Sequence, residues 1–252
     1  VILDELAMYD DSPDDVVHRV FAEQVFDGHP LGRETAGERA TVGVVSGDDI
    51  RRFFEQHYRT GNTVVSIAGA VDPDHLIERV EQAFAGLAQG NGRTPRDGPG
   101  GTGRSLELED ETEQMHIVVG GRSLRRDDDD REALDVVNHV LGGGLASRLF
   151  DEIRERRGLA YSVFSNAAAY ADSGMWSVYA GTLPENGETV RRLIADEIER
   201  LVDHGITEEE LAVATGYLTG SYEMGLEDSS ARMSRLGGQL TVLGRVRTIE
   251  EQ

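Results

Sequence analysis

The 252-residue chain contains no cysteine and no lysine. The first absence excludes disulfides, thiolate zinc sites and cysteine nucleophiles together. The second excludes a P-loop, whose lysine holds nucleotide phosphates; all 25 cationic side chains are arginine. No apolar run approaches the ~20 residues needed to cross a bilayer. An opening methionine is also missing: Val1-Ile2-Leu3-Asp4-Glu5-Leu6 starts inside an amphipathic pattern with no capping residue before it. That start predicts a segment of a longer polypeptide. Against the arginines stand 47 Asp and Glu, for a net charge of −22. Such a field repels phosphate backbones and anionic lipid heads, so neither nucleic acid nor a membrane is an expected partner. The hydrophobic content, 38%, suffices for a packed core and argues against global disorder.

Periodicity divides the rest. Residues 1–9 read as the end of a helix, and Asp14 to Phe26 as another, with Val16, Val17, Val20, Phe21 and Val25 at helical spacing. Gly28 to Gly32 reads as a loop. Ser46-Gly47-Asp48-Asp49 predicts a capping box for a helix reaching Tyr58. Thr63 to Ala70, rich in β-branched residues, reads as a buried strand, and Asp72-Pro73 caps a helix to Leu87. Residues 90–104 hold six glycines and two prolines; this stretch is the expected linker, with 1–89 and 105–252 as the two parts it joins. The second part opens on strand signals at Leu106, Leu108 and Met115 to Val119. A helix follows from Asp128 to Leu141, and another from Ala146 to Arg157, closed by Gly158. Ala160 to Tyr170 and Met175 to Thr182 read as a strand pair, Glu188 to His204 as a helix, and Thr207 to Glu210 as a capping box for the next. Helices mixed with strand pairs close enough for hairpins predict an α+β fold.

Few residues point to chemistry alone. The seven histidines (18, 29, 57, 75, 116, 139 and 204) include no pair four residues apart, so no helix presents a His-x-x-x-His metal pair. No Gly-x-Ser-x-Gly supports a hydrolase nucleophile. Asp127 to Asp130 reads as solvated carboxylates at a helix start. Gly142-Gly143-Gly144 follows a helix and has no lysine beside it, so it reads as a turn with backbone freedom, not a phosphate cradle.

Four strings carry more. Leu141 to Val163 (LGGGLASRLFDEIRERRGLAYSV) resembles the pitrilysin family of zinc peptidases, in the branch of the mitochondrial processing peptidase. Val1 to Asp15, His29 to Gly37 (HPLGRETAG) and Tyr58 to Asp72 resemble that family's catalytic half, in the right order. The resemblance implies two similar halves, each with a mainly antiparallel sheet packed on helices and both incomplete here. The first would be the zinc-bearing half and the second the substrate-binding one. It implies that Glu5 is a zinc ligand, that Gly142, Gly143 and Gly144 form a substrate-binding loop, and that Arg154 and Tyr161 contact substrate. Arginine offers a fixed fork of donors to peptide carbonyls, and a phenol can donate to a developing oxyanion. The family's His-x-x-Glu-His helix, source of two zinc ligands and the general base, is not in these residues, and a catalytic zinc needs three protein ligands.

The expected function of the intact protein is therefore a Zn2+-dependent endopeptidase acting on short or unfolded polypeptides, with the segment inactive alone. A homodimer, or a heterodimer with a family member, enclosing a chamber is expected, in the cytoplasm of a bacterium or archaeon. The alternatives are a non-catalytic partner subunit that assists substrate binding and an acidic assembly protein that kept only the fold.

Overall fold

The computed structural model describes residues 1–91, 97–100 and 104–251. Residues 92–96 and 101–103 of the expected linker lie outside the described residues. In chain order the helices and strands are α1 (Ile2–Asp10), α2 (Pro13–Phe26), α3 (Arg39–Val42), α4 (Gly47–His57), α5 (Pro73–Phe84), β1 (Met115–Ser123), α6 (Arg131–Asn138), β2 (Ala160–Ala169), β3 (Gly174–Thr182), α7 (Gly187–His204), α8 (Glu208–Gly225) and α9 (Ser229–Leu243). The α+β class expected from the sequence is the class observed. Packing groups the chain into two compact units, Val1–Val42 with Asp97–Leu218, and Gly43–Arg96 with Thr219–Gln252. Both units thus draw on residues from either side of the 90–104 stretch.

The first unit is built on an antiparallel sheet of order β1-β3-β2. Ala169 lies opposite Gly174, so the expected strand pair closes as a hairpin over the short turn between them, and Met115 of β1 lies opposite Thr182. Side chains alternate across the central strand. Val178 and Ala180, fully buried, belong to a core with Leu149, Ile153 and Ile194. Burying each of the valine, leucine and isoleucine side chains contributes about 1.5–3 kcal/mol. Tyr179 belongs to the other face, where the His18 ring of α2 stacks on it with centroids 5.1 Å apart. At the end of α2, Phe26 is fully buried and meets Tyr170 edge-on at 6.0 Å. The sheet is thus covered on opposite faces by α2 and α7.

In the second unit the Ser46–Asp49 capping box forms as expected: Asp49 N–H donates to Ser46 Oγ at 3.2 Å, and Ser46 N–H to Asp49 Oδ2 at 2.9 Å. Asp72 caps α5 by accepting from the N–H groups of Asp74 and His75. Thr63–Ala70 departs from expectation. It is not a buried strand: among the described residues no strand pairs with it, and Val65 and Ile67 are 44% and 41% exposed. β-Branched residues fit a strand only where a neighbour offers a ladder. Here Ser66 Oγ donates instead to the Met233 carbonyl of α9 at 2.7 Å. Leu106 and Leu108 likewise lie in exposed chain without a ladder.

Candidate peptide-binding site

The C-terminus of α6 runs into a wider, π-helical turn, His139–Gly143. Leu141 and Gly142 are buried there. A methyl group on Gly142 would stand 2.5 Å from the backbone nitrogen of Ser165 on β2, so only glycine lets the turn come this close to the strand. Ser165 Oγ donates to the Asn138 carbonyl at 2.9 Å, and Trp176 Nε1–H donates to Asn138 Oδ1 at 3.1 Å. Asn138 therefore ties the helix end to β2 and β3. The sequence suggested backbone freedom for the glycine triplet; the structure replaces that with close approach, since none of the three has a positive φ.

The chain then enters a π-helical segment, Phe150–Glu155, anchored by the fully buried Leu149 and Ile153. Arg154 projects from it to solvent, its guanidinium carbon 5.0 Å from the centre of the Phe150 ring. Gly158, at φ +62°, reverses the chain, and Leu159 N–H donates to the Ile153 carbonyl at 2.9 Å. Such a left-handed turn favours glycine. The buried Ala160 starts β2, which leaves Tyr161 on the outside, 60% exposed. Arg154 and Tyr161 thus flank one tight reversal and both face solvent. Gly142 rests on the same strand four residues beyond Tyr161, at Ser165.

Ion pairs fix the segment from behind. Arg148 donates from Nε and Nη2 to the two carboxylate oxygens of Glu210 at 2.6 and 2.7 Å, and to the Gly205 carbonyl at 2.8 Å. The Arg148 hydrogen bonds, aided by Thr207, hold the Glu210 carboxyl down at about 2. Glu152 accepts twice from Arg157, which lowers its pKa. Glu197 of α7 is the exception: its burial raises its pKa despite the 2.9 Å pair with Arg200.

Glu5 lies on the exposed side of α1. Among the described residues no group of three His, Cys, Asp or Glu could hold a metal ion. The residues present therefore offer one carboxylate and do not make a zinc site. The structure gathers Arg154, Tyr161 and the glycine turn around β2, while Glu5 stands on a helix that packs on α2 and α3. Sequence reasoning missed Asn138 and its neighbour His139, whose ring stacks on Tyr217 at 4.5 Å. An asparagine ending an amphipathic helix just before three glycines was the available signal.

Comparison with known proteins agrees with this architecture. The profile of the peptidase M16 inactive domain matches residues 45–215. An uncharacterized zinc protease of Mycobacterium tuberculosis is 43% identical over 255 residues, covering 99% of this chain and 58% of that protein. One from Bacillus subtilis is 34% identical over 251 residues, covering 100% of this chain and 61% of that protein. The chain thus spans about three fifths of the length of these relatives. Among solved structures, a peptidase M16 inactive domain from Pseudomonas fluorescens superposes with a TM-score of 0.90 at 22% identity, over 99% of this chain and 63% of that one. A protease from Helicobacter pylori gives 0.88 at 22% identity, over 96% and 60%. Likeness at that identity shows the fold, and fold alone does not assign activity. The profile covers more than half of the residues, and the chain belongs to the peptidase M16 family, the zinc-peptidase family its four motifs resemble.

Proposed function

We propose that this chain is the substrate-binding portion of a zinc-dependent endopeptidase of the processing-peptidase type, acting on short or unfolded polypeptides. The observation that carries this reading is the outward placement of Arg154 and Tyr161 on either side of the Gly158 reversal, with the glycine turn packed on the same strand at Ser165. Arg154 would donate its fork of N–H groups to carbonyls of an extended peptide. The Tyr161 hydroxyl would donate to the oxygen on which charge develops during attack. In the intact protein Glu5 is the proposed carboxylate ligand of zinc, alongside two histidines of a His-x-x-Glu-His helix that this sequence does not contain. Water activation is not assigned to residues of this chain. The same reading carries a homodimer or a heterodimer of family members, a closed chamber and a cytoplasmic setting; no helix among the described residues is long and apolar enough to cross a membrane.

The test uses the intact protein purified with zinc and a library of unfolded peptides. Tyr161→Phe is expected to lower kcat by about 10²–10³, the cost of one oxyanion donor. Arg154→Ala is expected to raise KM, and Glu5→Gln to lower bound zinc. No cleavage of any peptide, together with unchanged zinc in Glu5→Gln, sinks the proposal. A second reading, a non-catalytic partner subunit, is favoured by the match to an inactive-domain profile. Stoichiometric zinc in the intact protein counts against it.

A further inference from the structure

Gly143 and Gly144 occupy backbone that does not call for glycine. Gly144 has φ −154° and ψ 172°, extended geometry that any residue adopts, and neither has a positive φ. What stands against them is the ring of His139. A methyl group on Gly144 would lie 3.0 Å from His139 Cε1 and 3.3 Å from Nε2, and one on Gly143 would lie 3.3 Å from both the Asn138 carbonyl oxygen and His139 Nδ1. The same imidazole stacks on Tyr217 of α8, with centroids 4.5 Å and planes 19° apart. Few other side chains anchor this stretch. Gly142 is buried on β2 and Ser147 is buried beyond, but Leu145 between them is 80% exposed and Ala146 is exposed too. Consecutive glycines have wide backbone freedom unless something outside them removes it. Burial also lowers the His139 pKa below the usual 6.5, so the ring packs as a neutral aromatic near pH 7.

We propose that His139 is a positioning residue of the glycine turn: its ring, braced by Tyr217, fills the space beside Gly143 and Gly144 and holds the turn in the form that borders a bound peptide. Gly144 is there to admit the ring, and Gly143 to admit both the ring and the Asn138 carbonyl. His139 acts through the turn and does not touch substrate; its effect on peptide binding rests on the function proposed above.

The experiment compares His139→Ala, His139→Phe, Gly144→Ala and the double variant His139→Ala/Gly144→Ala in the intact protein. The first readout, independent of any activity, is amide hydrogen exchange of the peptide covering residues 140–149. His139→Ala is expected to speed exchange there about tenfold, because local opening becomes easier, while His139→Phe keeps the parental rate. Gly144→Ala crowds the ring and speeds exchange in the parent, but adds little once the ring is gone, the non-additivity expected of two groups in contact. The second readout is the KM and kcat for an unfolded peptide: His139→Ala raises KM several-fold with a smaller change in kcat, and His139→Phe restores it. Parental exchange in His139→Ala, or equal exchange in the Ala and Phe variants, overturns the proposal. Faster exchange with an unchanged KM also overturns it, because the turn would then not border the peptide; the reading of Arg154 and Tyr161 would survive that result. Loss of all peptidase activity in the parent would instead refute the proposed function, and the exchange data would still decide whether His139 holds the turn.

Discussion

Replacing Glu210 by glutamine tests how the segment bearing Arg154 is held. The Arg148 and Glu210 side chains are only 15% and 27% exposed, and their fork-to-fork contact is made at 2.6 and 2.7 Å. Arg148, then Thr207, holds the Glu210 carboxyl at about 2 against an ordinary 4.5. At 1.36 kcal/mol per pH unit that gap corresponds to roughly 3 kcal/mol of folded-state stabilisation. Solvent screening of the exposed part reduces the expectation to about 2 kcal/mol. The folded carboxyl has the depressed pKa, so this stability is fully present above pH 4.5 and disappears as pH falls toward 2. Glu210→Gln keeps the oxygen that accepts from the Thr207 N–H and from Arg148 Nη2, but removes the negative charge and puts an NH2 donor where Arg148 Nε needs an acceptor. Trp176 is the single tryptophan and lies in the same compact unit, so its fluorescence during urea unfolding reads the relevant transition. With a slope of about 2 kcal/mol per molar urea, the variant midpoint should fall by roughly 1 M at pH 7, and the gap should shrink to about a quarter of that near pH 2.5. Coincident midpoints at pH 7, or an undiminished gap in acid, would refute the reasoning.

Gly142→Ala should destabilise the first unit by at least the 1–3 kcal/mol typical of overpacking, because its methyl would meet backbone at Ser165 and not a side chain that can turn away. Calorimetric Tm and the near-ultraviolet dichroism of Trp176 report it, and an unchanged Tm would contradict the close approach. His18, in the aromatic stack on Tyr179, has its pKa lowered first of all by burial, against the pull of Asp14 and Asp15. Its stabilising effect is intact above pH 6.5 and is lost as pH falls below that value, where the unfolded chain takes up the proton first. His18→Phe keeps the stack, so its Tm should decline less steeply than the parent's below pH 6.5; parallel curves would count against this.

What the sequence revealed and what it hid follow from the range of the interactions. Caps at Ser46, Asp72 and Thr207 are made within three residues, so their residue types sufficed to place them. The β2–β3 hairpin was legible because its pairing is local and its turn residues separate two β-rich runs. Thr63–Ala70 was misread because local β preference says nothing about whether a neighbouring strand is present. Helix α9, with Gly237 and Gly238 at its centre, has poor intrinsic propensity and gave no clear helical signal. Arg154, Tyr161 and the glycine triplet came from resemblance to a family. The contacts that hold them did not: Arg148 and Glu210 are 62 residues apart, and Asn138 and Trp176 are 38 apart. The glycine triplet shows the limit most plainly, since the same letters serve a loose loop or a crowded one.

Helix α2 meets a sheet whose strands begin at Met115 and end at Thr182. During synthesis the helix is complete long before the strand that carries Tyr179 exists. At 5–20 residues per second, the roughly 150 intervening residues leave Phe26 and the His18 face without their partners for on the order of 10–30 s. For that interval the helix is an apolar surface awaiting its cover, a target for chaperones or for neighbouring nascent chains. Synonymous codon changes that slow translation between residues 30 and 175 would lengthen this exposure without altering a single atom of the finished protein.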